Sequence, residues 1–70
     1  MTKERIEELA MEVVTEALPD LESNNQSYFY GIVKKLSNTI IDDYALDVLR
    51  TEEHVKALMR IDLEELQKSL

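Results

Sequence analysis

The 70 residues are expected to form a single domain, residues 1–70. A chain this short buries only about 60% of the surface that its unfolded form exposes. Its 15 acidic and eight basic residues give a net charge of −7, which argues against direct binding to nucleic acid or to an anionic membrane. A basic protein is a more suitable partner for such a surface, and a second copy of the chain would add buried area to a small core.

Several classes of functional site are excluded by residue types that are rare or missing. No cysteine is available for a disulfide or a thiolate zinc site, and one glycine is too few for a phosphate-binding loop. A metal site needs several converging ligands, whereas Asp43, Asp47 and His54 would come from one helix and a capped turn, without a second histidine or a thiolate. Asp42 and Asp43 are adjacent, so on a helix they point about 100° apart and cannot share one substrate. We therefore expect no metal, no cofactor and no catalytic site, and a protein that is not an enzyme.

The sequence also bears on location. No apolar run approaches the ~20 residues of a membrane span, and the amino-terminal segment MTKERIEELA lacks the apolar stretch of a signal peptide. The lack of cysteine fits a reducing compartment. We expect an unprocessed cytoplasmic protein that makes no membrane contact.

The first helix is predicted over residues 3–18. Thr2 is a suitable amino-terminal cap, and Pro19 disfavours helical geometry at Leu18. Apolar residues recur at the i, i+3, i+4, i+7 spacing of one helix face. This inward face consists of Ile6, Leu9, Ala10, Val13, Val14, Ala17 and Leu18.

An acidic stripe follows the opposite face of this first helix. It consists of Glu4, Glu8, Glu12 and Glu16, which recur at every fourth residue. Like charges at this spacing destabilise a helix by roughly 0.2–0.5 kcal/mol per pair. Two interpretations remain open: the stripe is a solvated face of an acidic protein, or it is a surface that docks on a basic partner.

A long central helix is predicted over residues 26–49. The polar segment DLESNNQ precedes it and contains its expected cap, Asn24 or Asn25. Together with the first helix, the central helix should form an antiparallel hairpin. Its core face consists of Phe29, Ile32, Val33, Leu36 and Ile40. Gly31 in its interior is expected to mark a close helix approach rather than a break.

A second apolar set follows on the same helix, rotated by roughly 130° from the first. It consists of Ile41, Tyr44, Ala45, Val48 and Leu49. Either the helix breaks near residues 38–43, where Asn, Thr and Asp offer alternatives to the helical ladder, or it continues and different neighbours cover its ends. We favour the continuous helix.

Tyr28 and Tyr30 diverge from Phe29, which belongs to the core face. Tyrosine is enriched at protein interfaces, although partial burial at the start of a helix would also explain both residues. We predict that a self-association surface is formed by Tyr28, Tyr30, Ile41, Tyr44, Ala45, Val48 and Leu49.

The carboxy-terminal part is predicted as a helix over residues 52–60, capped by Thr51, and a short helix over residues 63–69. One continuous helix would bring Asp62 close to the buried face, and a buried unpaired carboxylate is unfavourable. The preferred alternative is that Asp62 caps the last helix and that Glu65 completes a capping box.

These patterns predict an all-α, antiparallel helical domain of three helices, with or without a short fourth, in which the central helix is long and two copies form a helical-bundle homodimer. The expected function is that of a small acidic protein-protein interaction or regulatory protein. The alternative is an acidic inhibitor that mimics the charge of nucleic acid and blocks a basic surface that binds nucleic acid. Salt distinguishes them, because charge docking weakens as ionic strength rises.

Overall fold

A computed structural model of the protein describes residues 2–43 and 51–69, and all the regular structure in these two ranges is helical. The all-α class is therefore confirmed. None of the helices described is long and apolar enough to cross a bilayer. The four helices are α1 (Lys3–Ala17), α2 (Leu21–Asn24), α3 (Gln26–Asp43) and α4 (Glu52–Ser69).

The three long helices begin at polar caps. Thr2, Asn25 and Thr51 each accept a hydrogen bond from the backbone amide three residues further on, at 3.1, 3.2 and 3.1 Å respectively. Each bond satisfies an amide that has no partner within the first helical turn. The caps predicted at Thr2 and Thr51 are confirmed, and Asn25 rather than Asn24 caps α3.

The connection between α1 and α3 contains a short helix that the sequence analysis treated as loop. α1 ends at Ala17, and Leu18 before the proline leaves helical geometry, with φ −134° and ψ 70°. The amides of Asn24 and Asn25 then donate to backbone carbonyls four residues earlier, at 3.0 and 2.8 Å. Leu21 is half-buried against the core, which anchors this single turn.

α3 is unbroken from Gln26 to Asp43, so the polar residues in its second half do not interrupt it as far as the structure describes it. The Ser37 and Thr39 hydroxyls donate to the carbonyls of Lys34 and Lys35, at 3.1 and 2.9 Å. These side chains therefore bond to the helical ladder without replacing it. Residues 44–49 of the predicted central helix lie outside the described residues.

The break predicted at Asp62 is wrong, because α4 is continuous from Glu52 to Ser69. Its buried row is Val55, Met59 and Leu63, spaced four residues apart, and Leu63 is a core residue that was not predicted. Asp62 lies at the edge of this row, where it is only half-buried and has an interaction partner. The unpaired buried carboxylate that motivated the break does not arise.

The core is formed jointly by α1, α3 and α4. Arg5 contacts Glu52 and Glu16 contacts Arg60, so α1 and α4 run in the same direction. Leu66 near the end of α4 lies beside Gly31 in the first half of α3, so these two helices run in opposite directions. The buried apolar residues are Ile6, Leu9, Ala10, Val13, Val14, Phe29, Ile32, Val33, Leu36, Ile40, Val55, Met59 and Leu63.

Candidate interaction surfaces

The acidic stripe does not stay on the face of α1 opposite the core. A step of four residues turns about 400°, or 40° more than a full turn, so the row winds around the helix. Glu4 forms no ion pair with any residue described, whereas Glu16 at the other end contacts Lys56 and Arg60 of α4. Three of the four stripe residues thereby take part in ion pairs.

These ion pairs form what we call the ionic seam between α1 and α4, made up of Arg5, Glu8, Glu12, Glu16, Glu52, Lys56 and Arg60. Arg5 lies 2.8 Å from Glu8, and Lys56 lies 3.7 Å from Glu16. Glu12 is 3.9 Å from both Arg5 and Lys56. Cations on both helices thus offset the repulsion expected along the stripe.

Arg5 makes the shortest contacts of the seam. Its guanidinium donates through Nε and Nη2 to the two carboxylate oxygens of Glu52, at 2.6 and 2.7 Å. This bidentate pairing raises the pKa of Arg5, with a further contribution from Glu8, and lowers the pKa of Glu52. The pair connects the first turn of α1 to the first turn of α4.

The Arg5–Glu52 pair predicts a specific pH dependence of stability. The folded-state pKa of Glu52 lies below its ordinary value of 4.5, so the stabilisation is present above pH 4.5 and is lost as the pH falls through the lowered pKa. We expect Glu52→Gln to lower the Tm at pH 7, and the difference from the parent protein to shrink on acidification. Thermal melts across this pH range measure the effect.

Glu53→Gln is the matched control for this experiment. Glu53 occupies the same first turn of α4, so it has the same favourable position relative to the helix dipole, but it forms no ion pair among the residues described. Its substitution should change the Tm less at pH 7. Equal losses in the two variants would mean that the helix dipole, and not Arg5, accounts for the effect.

The pairing of Lys56 and Arg60 with the stripe was not predicted, although the sequence contains a signal for it. Glu52, Lys56 and Arg60 recur at every fourth residue, which is also the spacing of the acidic stripe. Two helices whose charged rows share a spacing can pair along their length when they run in the same direction. Their direction, however, follows from how the intervening chain folds.

The three consecutive aromatic residues separate as predicted from their helical positions. Phe29 is only 1% exposed, whereas Tyr28 and Tyr30 are 40% and 43% exposed. The Tyr30 ring lies edge-on to Phe29, with 5.1 Å between the ring centroids, and its hydroxyl donates to Glu22 at 3.3 Å. Tyr28 and Tyr30 therefore offer apolar ring surface to a partner.

Tyr28 borders a recess between α3 and α4 that we call the tyrosine groove. Its volume is about 270 Å³, and no acidic residue lines it. Gly31 lies within it, and a Cβ atom at Gly31 would have no neighbour within 4 Å. The close helix approach expected at this glycine therefore does not occur within the described part of the monomer. The lining residues are Ser27, Tyr28, Gly31, Ile32, Lys35 and Leu66.

Of the remaining five residues of the predicted self-association surface, only Ile41 belongs to the part of the chain that the structure describes. Ile41 is half-buried and packs against the core, so only part of its side chain is accessible to a partner. The other four lie outside the described residues. They are Tyr44, Ala45, Val48 and Leu49.

The structure assembles no metal site from the residues described. His54 is exposed in the first turn of α4, and within residues 2–43 and 51–69 no three histidine, aspartate or glutamate side chains are grouped closely enough to hold a metal ion. No protein-family model, curated protein or solved structure matches this chain. Any functional conclusion therefore rests on its own surfaces.

Proposed function

We propose that this chain is a small non-enzymatic protein-protein interaction or regulatory protein that acts as a homodimer. The observation that carries the proposal is the tyrosine groove, where a half-exposed tyrosine ring borders an apolar recess free of carboxylates. Aromatic side chains are enriched at protein interfaces, and charged residues are depleted from interface centres. The groove has an aromatic border and no carboxylate, with Lys35 as its one charged lining residue, in a chain whose net charge is −7.

The charge-mimicry alternative draws less support from the arrangement of the charges. Glu8, Glu12 and Glu16 would have to exchange their contacts with Arg5, Lys56 and Arg60 for contacts with a basic partner. Such an exchange gives less binding free energy than contacts with unpaired carboxylates would, because the existing ion pairs have to break first. A surface suited to mimicking nucleic acid would present its carboxylates without cations between them.

Sedimentation equilibrium over a range of protein and salt concentrations tests the proposed homodimer. We expect a dimer at micromolar concentration that is not weakened between 0.1 and 1 M salt. Burial of apolar surface is not screened, and the fall of the Debye length from ~10 to ~3 Å reduces the repulsion between two copies of net charge −7. A folded monomer at high concentration would contradict the proposal. Binding to a basic protein that is lost in high salt would instead support charge mimicry.

A further inference from the structure

Gly31 is a glycine without an evident role in the monomer. It is exposed, it lies in the interior of α3, and no positive φ angle occurs in the described backbone. Glycine in a helix interior is less stable than alanine because it loses more backbone entropy on folding. Since a Cβ there would meet nothing within 4 Å, no neighbouring element of the described monomer requires the absence of a side chain.

The surface around Gly31 has a projection and a recess on the same helix. Tyr28, with 40% of its surface exposed, is the projection, and it also lines one end of the recess, which continues past Gly31 and Ile32 to Leu66. A two-fold symmetric interface requires a patch that is complementary to itself. A projection beside a recess meets this requirement when the symmetry axis passes between them.

The charges favour the same surface for contact between two copies. Each copy carries a net charge of −7, and the sequence from residue 24 to residue 41 contains no acidic residue. Its two cations, Lys34 and Lys35, follow Gly31 by three and four positions. In an antiparallel crossing at Gly31, the side chains of Lys34 and Lys35 would originate about 9 and 12 Å, respectively, from their counterparts in the other copy along the helix axes. Both separations exceed the Debye length of ~8 Å at physiological salt.

We infer that two copies of this chain associate through α3 packed antiparallel on α3, with the two-fold axis at Gly31 and each Tyr28 in the other copy's tyrosine groove. This inference rests on the proposed homodimer and specifies its interface. Absence of a side chain at the crossing point lets the helix axes approach more closely than the usual 8–10 Å. Lys35 then lies opposite Ser27 and beside the Tyr28 ring, where its charge is favourable.

The first test is Gly31→Gln, which separates stability from association. Glutamine is a good helix former, and its side chain has open space in the monomer. The Tm measured at protein concentrations below the dimer Kd should therefore rise. The same side chain blocks the crossing, and we expect the dimer Kd to increase at least tenfold. Thr15→Gln, on the exposed side of α1, should also favour the helix but leave the dimer Kd unchanged.

The second test uses the absence of natural cysteine. A cysteine side chain is small, and at an ordinary axis spacing of about 9–10 Å two facing Cα atoms at helix radii of about 2.3 Å lie roughly 4.4–5.4 Å apart. This separation is within the range of about 4.4–6.8 Å that a disulfide requires. Under mild oxidation, Gly31→Cys should therefore form a covalent dimer at least tenfold faster than Thr15→Cys at the same concentration. Non-reducing gels follow both reactions.

The outcomes distinguish this interface from the homodimer itself. If the parent protein is a dimer but Gly31→Gln leaves its Kd unchanged and Gly31→Cys crosslinks no faster than Thr15→Cys, the crossing at Gly31 is wrong and another surface forms the dimer. If the parent protein remains a monomer in sedimentation equilibrium, both the interface and the proposed homodimer are wrong.

Discussion

Replacing Phe29 with alanine is expected to remove about 3–5 kcal/mol of unfolding free energy, the usual loss when a buried phenylalanine is truncated. The Phe29 side chain is 1% exposed and lies in the core. At roughly 0.05–0.15 kcal/mol per residue, 70 residues provide only about 3.5–10 kcal/mol in total. Urea denaturation followed by circular dichroism should therefore show a variant that is largely unfolded or barely stable.

Tyr30→Ala is the matched control, since it truncates the adjacent aromatic residue on the same helix. Tyr30 is 43% exposed, and its truncation removes an edge contact with Phe29 and a long hydrogen bond to Glu22. We expect a loss of about 1 kcal/mol, typical of one hydrogen bond at a partly exposed site. Similar losses for both variants would mean that the core face of α3 is assigned incorrectly.

Glu64→Pro is expected to cost about 3 kcal/mol or more, because it places proline inside a continuous α4. Proline removes the amide that bonds to the carbonyl of Arg60 and brings its ring against that carbonyl. A helix that began after Asp62 would instead hold residue 64 in its first turn, where proline is tolerated. Denaturation of this variant therefore tests directly whether α4 is continuous.

Glu64→Ala controls for the side chain that the proline variant removes. The Glu64 carboxylate lies 3.5 Å from Lys68, and both side chains are 67% exposed. Exposed helix pairs of this kind contribute about 0.3–0.5 kcal/mol to stability, and the higher helix propensity of alanine offsets a similar amount of free energy. The control should thus be close to neutral. A proline variant as stable as this control would indicate a helix boundary at Asp62.

The helix starts could be read from the sequence because capping is a local property. Thr2 and Thr51 each bond to an amide three residues away, and no distant part of the chain has to be known to predict this. Most of the core faces of α1 and α3 were also predictable, since each carries a strong apolar periodicity with one phase. Phe29 and its neighbours Tyr28 and Tyr30 follow from that phase alone. The last two residues predicted for the α1 face are the exceptions, because Ala17 is exposed and Leu18 is half-buried beyond the end of the helix.

The buried face of α4 was harder to predict, because its apolar residues fit two different helical phases. Val55, Leu58 and Leu66 suggest one face, and Val55, Met59 and Leu63 suggest another. Only packing against α1 and α3 selects the second as the buried row. The first phase put Asp62 beside the core and suggested a helix break. The burial of a side chain depends on the elements that pack against it. The spacing of residues along one helix does not specify those elements.

By itself, then, the sequence determined the class, the caps and most of the inward faces of α1 and α3, because each depends on residues within a few turns of one another. Tertiary structure alone decided that the row of glutamates meets Lys56 and Arg60, and that Gly31 lies open beside the tyrosine groove. Both depend on the relative direction and spacing of helices that are distant in sequence. Ion pairs and grooves between helices arise from that arrangement, and no periodicity within one helix specifies it.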